Sequence, residues 1–182
     1  FMVGSAVTGK RLGIIGMGRV GQTVAKRAQA GFDMKIHYHN RNRLAKEFER
    51  GAIYHDSIET LLPNCDILSL HCPATPDTTG LINKDRIAML PDNAIIINTA
   101  RGTVIEERAL VCALKSGKLS AAGLDVYRNE PGGDKEIIAQ PNTFLLPHIG
   151  SANKETRDAM GFRALDNLDA FFSGREPRDR VV

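Results

Sequence analysis

With 182 residues, the chain fits a single domain able to bury about 70% of its unfolded surface. Its 24 Lys and Arg nearly offset 21 Asp and Glu for a net charge of +3, and because these charges are spread along the chain, no basic face for nucleic acid is expected. No apolar run nears the ~18 residues that span a bilayer, and Phe1-Met2-Val3-Gly4-Ser5 lacks the basic region and cleavage site of a signal peptide, which predicts a cytoplasmic protein with no membrane partner.

Residues 1–11 carry no periodicity and read as a surface lead-in, with Thr8-Gly9-Lys10 turning into the first strand. A chain seldom opens one turn before its central strand, so further sequence upstream is expected. Leu12 to Ile15 is an apolar run that ends in Gly16-Met17-Gly18-Arg19-Val20-Gly21, and good helix formers follow from Gln22 to Ala30, up to Gly31. This predicts a strand, a tight turn and a helix, whose first N–H groups and positive dipole end point at the turn and favour an anion. Gly16 permits the turn, Gly18 lets a pyrophosphate approach the backbone, and Gly21 lets helix and strand pack closely. Such a glycine pattern alone is a weak signal; between a strand and a helix it favours dinucleotide binding over a structural turn.

Met34 to His39 alternates apolar and polar residues as a second strand. Asn40-Arg41-Asn42-Arg43 follows, then a short helix to Arg50 closed by Gly51, and a short strand from Ala52 to Tyr54. His37 and His39 share one strand face, but no Cys, Asp or Glu stands at ligand spacing beside them, so no metal is expected. Asp56 and Glu59 have capping-box spacing at the start of a small helix that Pro63 ends. Asp66 to Leu70 is a fourth strand, leading into a polar loop from His71 to Gly80 whose two prolines exclude helix and interior strand. Further on, a short helix from Lys84 to Leu90, a buried strand from Ala94 to Asn98 and a helix from Glu106 to Ser116 capped by Gly117 are predicted. Ala121 to Asp125 and Thr143 to Leu146 complete the strands. The segment from Ala152 to Ser173 brings Gly161, Leu165, Leu168 and Phe172 onto one stripe, as an amphipathic helix does, with Ser151 and Asn153 as candidate caps. Cys65, Cys72 and Cys112, odd in number and without Cys-x-x-Cys spacing, read as free thiols.

Strands separated by helices imply right-handed crossovers and an α/β fold of Rossmann type, a doubly wound parallel sheet with helices on both faces. The expected dinucleotide-binding domain spans 12–150, and 151–182 forms the final helix and tail. Ligands of such sheets collect beyond the C-terminal strand ends. The candidate site therefore comprises the Gly16–Gly21 turn, Asn40 with Arg41, His71 with Cys72 and Pro73, Thr99 with Ala100 and Arg101, Asp125, and Pro147 with His148.

Four segments sharpen this reading. Ile97-Asn98-Thr99-Ala100-Arg101-Gly102, Ala122-Gly123-Leu124-Asp125-Val126-Tyr127, Asn129-Glu130-Pro131 and Pro147-His148-Ile149-Gly150-Ser151 occur in order. They resemble the signature segments of the D-isomer-specific 2-hydroxyacid dehydrogenases, and within that family most resemble the glyoxylate/hydroxypyruvate reductase branch. The resemblance covers essentially the whole chain. It implies that Arg101 binds the substrate carboxylate and carbonyl, a task suited to the paired N–H groups of a guanidinium. It implies that His148 is the proton donor, since an imidazole exchanges protons near neutral pH, and that Glu130 orients the ring and favours imidazolium. It places Asp125 beside the nicotinamide and Cys72, Pro73, Thr99 and Ala100 along the cofactor cleft. Arg19, Val20, Arg101, His148 and Gly150 complete the cofactor set.

An NAD-selective site usually carries Asp or Glu about 20 residues beyond the glycine turn. Here Asn40 stands there, followed by Arg41 and Arg43, which removes repulsion against a 2′-phosphate and adds cationic partners. NADP(H) is therefore expected over NAD(H); the competing reading is that the arginines are simply solvated at a helix start. The family resemblance further implies a substrate domain formed mainly by preceding sequence, against which residues 151–182 would pack, and a homodimer paired through the cofactor domain. As it stands, the chain should bind a dinucleotide and turn over little or nothing. The alternative is a dinucleotide-sensing regulator or co-regulator on the same fold; a Rossmann methyltransferase has no need of the Arg101, Glu130 and His148 set.

Overall fold

In the computed structural model, which describes residues 4–181, strands β1 (Arg11–Ile15), β2 (Lys35–His39), β3 (Ile53–Tyr54), β4 (Ile67–Leu70), β5 (Ala94–Asn98), β6 (Leu119–Leu124) and β7 (Thr143–Leu145) alternate with helices. The helices are α1 (Arg19–Phe32), α2 (Lys46–Glu49), α3 (Ile58–Leu61), α4 (Lys84–Met89), α5 (Glu107–Ser116), α6 (Lys135–Ile138) and α7 (Lys154–Phe172). Residues 1–3 of the expected lead-in lie outside the described residues. The strands form one sheet in the order β3-β2-β1-β4-β5-β6-β7, and every neighbouring pair is parallel. All C-terminal strand ends therefore share one edge. The chain winds from β1 outward to β3, then returns past β1 to β4, so the strand order reverses between β1 and β4. In such sheets a ligand crevice opens at that reversal.

Period-two alternation feeds two cores. Leu12, Ile14, Ile36 and Ile67 pack with Ala25 and Ala28 of α1 on one face. Ile15, Leu68, Leu70 and Ile96 pack on the other with residues from α3, α4, α5 and α6. Strands covered on both faces read as continuous apolar runs, as Ala94–Asn98 does. Cys65 is wholly buried and its Sγ abuts Gly13, where a Cβ would collide with it. Burial pushes that thiol up to about 12, and Cys65, Cys72 and Cys112 are all free.

Several local expectations change. Helix α1 runs through Gly31 and ends at Asp33, whose φ of 50° is left-handed. The small helix α3 is capped by Ser57, whose Oγ accepts from Thr60 N–H at 3.2 Å, not by an Asp56–Glu59 box. Asp56 instead accepts from the Thr60 hydroxyl at 3.2 Å, and Glu59 pairs with Arg86 at 2.8 Å. The loop after β4 contains a one-turn 3₁₀ helix, Pro76–Thr78. Its proline stands at the first position, where the missing N–H costs nothing. Helix α6 was not expected; it begins at Asp134, which accepts from Glu136 N–H at 2.6 Å. Gly117 does end α5, at φ 78°.

The chain divides into two compact units, Phe1–His148 and Ile149–Val182. In the second, Asn153 caps α7 by accepting from Thr156 N–H at 2.8 Å. The tail bonds the helix through Asn167 and Asp179, whose side chains meet at 2.9 Å. The apolar side chains do not form the single stripe expected: Met160, Phe162 and Phe171 join Leu165, Leu168 and Phe172 around more than half of the helix, and all six are exposed. No helix among the described residues is long and apolar enough to cross a membrane.

Candidate active site

Each glycine of the β1–α1 turn has a distinct spatial reason. Gly16 sits at φ 93°, and a Cβ there would come within 2.6 Å of Cys72 N. A Cβ on Gly21 would come within 2.6 Å of the Gly16 carbonyl oxygen, whereas one on Gly18 would meet nothing within 4 Å. Gly18 is also the N-cap of α1 and makes no side-chain cap bond. Open space in front of uncapped helical N–H groups is what a dinucleotide diphosphate fits. Arg19 and Val20, on the first helical turn, are exposed beside it.

The β2 end braces this turn. Gly16 N–H donates to the His39 carbonyl at 3.1 Å, and Met17 N–H donates to Asn40 Oδ1 at 2.6 Å. A cavity of about 410 Å³ follows, lined by Gly16, Asn40, Arg41, Cys72, Pro73 and Asp77 among others, a size suited to a small ligand group. Arg41 faces this cavity. Arg43, expected beside it in the cofactor set, is held elsewhere: its guanidinium makes two bonds to Glu49, at 2.7 and 3.1 Å, and lies 5.4 Å from the Tyr54 ring centroid. Glu49 also accepts from the Tyr38 hydroxyl at 2.7 Å. The Arg43 and Tyr38 bonds hold the Glu49 carboxyl down at about 2, and burial with that same bond pushes Tyr38 up to about 12. Arg43 thus anchors the loop that presents Arg41.

Cys72 and Pro73 follow β4 at the strand reversal. Burial raises the Cys72 thiol, which keeps it protonated and unreactive. Burial likewise lowers His71, whose Nε2 lies 2.9 Å from Ser69 Oγ. Among the described residues, no three His, Cys, Asp or Glu side chains group to hold a metal ion; His37 and His55 instead meet each other at 3.0 Å.

At the ends of β5, β6 and β7 the remaining candidates gather. Buried Asn98 folds the first loop over itself: its Oδ1 accepts from Ala100 N–H and its Nδ2 donates to the Arg101 carbonyl, both at 3.0 Å. This leaves Thr99 and Arg101 exposed and Ala100 buried. The Arg101 guanidinium donates to the Ala100 carbonyl at 2.6 Å. Gly102 has no room for a side chain, because a Cβ there would collide with the Tyr127–Arg128 peptide. The Arg101 loop therefore packs backbone to backbone on the loop that carries Glu130. Asp125, the residue after β6, is buried, its N–H donating to the Asn98 carbonyl at 3.0 Å.

His148 Nδ1 lies 2.6 Å from Glu130 Oε2, while Glu130 Oε1 accepts from Tyr127 N–H at 2.8 Å. The His148 bond, then the Tyr127 N–H, then the Arg101 charge hold the Glu130 carboxyl below the usual carboxylate range. His148 itself sits at φ 56°, an uncommon conformation for a side-chain-bearing residue and one that recurs at functional sites. Gly150 falls in the second unit, in a turn before α7. Asn98 and Tyr127 belong to this machinery although sequence reasoning used them only as motif letters; a buried Asn at a strand end was the signal available.

An open parallel sheet with a glycine-lined, uncapped helix N-terminus at its strand reversal defines a Rossmann-type dinucleotide-binding domain. The chain belongs to the D-isomer specific 2-hydroxyacid dehydrogenases, whose NAD binding domain matches residues 1–150. It is 44% identical over 177 residues to a glycerate dehydrogenase of Hyphomicrobium methylovorum, covering 96% of this chain and 55% of that protein. It is 46% identical over 180 residues to a glyoxylate reductase of Thermococcus litoralis, covering 98% of this chain and 54% of that protein. Its fold matches, with a TM-score of 0.86 and 38% identity, an NADPH-dependent glyoxylate/hydroxypyruvate reductase from Sinorhizobium meliloti in complex with NADP and malonate, covering 91% of this chain and 51% of that one. The chain thus spans a little over half the length of the curated relatives it matches.

Proposed function

We propose that this chain is the cofactor-binding part of a cytoplasmic oxidoreductase that transfers hydride between NADP(H) and a small 2-oxo or D-2-hydroxy acid of the glyoxylate or hydroxypyruvate class. The observation that carries this reading is the 2.6 Å Glu130–His148 contact, on the strand-end edge that also bears Arg101 and the glycine turn. The bound nicotinamide supplies the hydride. Glu130 engages Nδ1 of His148, which leaves Nε2 to give a proton to the substrate carbonyl oxygen in reduction and to take it back in oxidation. The Glu130 carboxylate, kept ionised by its partners, fixes the orientation of the ring. Arg101 grips the substrate carboxylate and polarises the carbonyl. Asp125, Thr99, Ala100, Cys72 and Pro73 line the cofactor path.

Asn40 and Arg41 support the choice of NADP(H). Asn40 brings no negative charge against a 2′-phosphate, and Arg41 lines the cavity where it would sit. A substrate domain outside these residues, packed by 151–182, and a homodimer through the cofactor domain complete the reading. The named relatives are reductases and dehydrogenases, which favours an enzyme over a dinucleotide sensor. Steady-state reduction of glyoxylate and hydroxypyruvate by the full-length protein tests it. Turnover preferring NADPH is expected from the full-length protein, and little or none from this chain alone. No turnover of either acid with either cofactor would end this reading.

A further inference from the structure

Tyr127 bonds Glu130 directly and the strand exit that leads to His148. Its N–H donates to Glu130 Oε1 at 2.8 Å. Its hydroxyl donates to the Leu146 carbonyl at 2.8 Å, two residues before His148, with the Leu124 carbonyl at 3.3 Å. Leu146 N–H in turn donates to the Leu124 carbonyl at 2.9 Å, so the hydroxyl sits on the last rung joining β6 to the exit of β7. The loop is held from other sides too. The Gly102 backbone packs on the Tyr127–Arg128 peptide, and a Cβ on Gly133 would press within 3.1 Å of the Tyr127 ring. Glu107, in the first turn of α5, accepts from Arg128 N–H at 2.9 Å.

We propose that Tyr127 is a positioning residue: one side chain and its own N–H fix Glu130 and His148 relative to each other across the ends of β6 and β7. Without the hydroxyl, the strand exit that carries His148, already in a left-handed backbone conformation, loses its tie to the Glu130 loop. A charge-assisted bond as short as 2.6 Å weakens steeply with such displacement. Burial raises the Tyr127 hydroxyl, which keeps it a donor across the range where histidine chemistry operates. The effect on turnover rests on the reductase reading; the effect on the imidazole does not.

The test is Tyr127→Phe, examined in two ways. In the chain described here, the His148 Nδ1 proton should give a downfield imidazole resonance, assigned by its loss in His148→Gln. In Tyr127→Phe it should move upfield and exchange faster with water. In the full-length enzyme, kcat for hydroxypyruvate should fall about five- to tenfold while the KM for NADPH stays within about twofold, as expected when geometry rather than cofactor binding is lost. A resonance unmoved in position and exchange overturns the proposal. A shifted resonance in a protein that reduces neither acid leaves the positioning role standing and removes the reductase reading. Should Tyr127→Phe fail to fold, 3-fluorotyrosine at position 127, which keeps the ring and changes only the hydroxyl's strength as a donor to the Leu146 carbonyl, decides by the same criterion.

Discussion

The two ends of the strand edge are built differently. At the β1–β2 end, a cavity is walled by the chain itself: a backbone bond joins Gly16 to His39, Asn40 holds Met17, and buried Tyr38 and Glu49, with the exposed Arg43 over them, fix the loop behind Arg41. At the β5–β7 end, Arg101, Glu130 and His148 stand exposed, their side chains placed by loop-to-loop bonds rather than enclosed. His148 keeps 47% and Glu130 33% of its side-chain surface in solvent. Under the proposed function, binding and chemistry fall to separate constructions, one formed by backbone shape and one by exposed charged groups. They should fail separately.

The largest break is expected at the open end. His148→Gln in the full-length enzyme should lower kcat/KM about a thousandfold, within the range general acid–base catalysis contributes, while calorimetric binding of NADPH stays within about twofold. Weakened cofactor binding of the same size would show that the two ends are one site. At the closed end, Gly18→Ala fills open space and should weaken NADPH binding about tenfold, because the backbone can no longer approach the diphosphate. Its melting temperature should hold. Gly16→Ala should lower the melting temperature as well, since its φ of 93° and its closeness to Cys72 admit no Cβ. Equal stability losses in the two variants would contradict this division.

A smaller shift is expected from Asn40→Asp with Arg41→Pro. Aspartate still accepts the Met17 N–H bond, so the turn keeps its brace while the site gains a negative charge and loses a cation, and the NADPH/NADH ratio of kcat/KM should fall about tenfold. An unaltered ratio would remove the cofactor assignment.

The smallest effect is on stability against pH. Burial lowers His37, His55 and His71, so the unfolded chain binds protons before the folded one does. Stability should be level above the ordinary histidine value of about 6.5 and decline as pH falls below it, until the lowered folded values are passed. Melting temperatures recorded at pH 8, 6.5 and 5 should show that decline. The carboxylates held low, such as Glu59 and Glu130, contribute their stability throughout that range and lose it only as pH falls below their own ordinary values.

The strand–turn–helix at Leu12 to Gly31, the alternation of strands and helices, and the convergence of strand ends were legible because each is a local code. Apolar spacing sets the element, glycine permits the turn, and parallel winding brings the ends together. The order of motifs likewise announced Arg101, Glu130 and His148. Pairing was less legible: Asp56 and Glu59 have a capping-box spacing, yet Ser57 caps the helix and Glu59 turns to Arg86, 27 residues away. The exposed apolar surface of α7 also escaped the stripe, because spacing records which residues share a face and not what covers it.

The sequence by itself determined the fold class and the family, and named Arg101, Glu130 and His148 as candidates for the chemistry. Tertiary structure alone decided that Arg43 braces Glu49 instead of facing the cavity, that Asn98 shapes the Arg101 loop, and that Tyr127 joins Glu130 to the strand before His148. The physical reason is range. Propensity and turn chemistry act over a few neighbouring residues, whereas these contacts depend on the register of strands distant in the chain, which exists only once the sheet has formed.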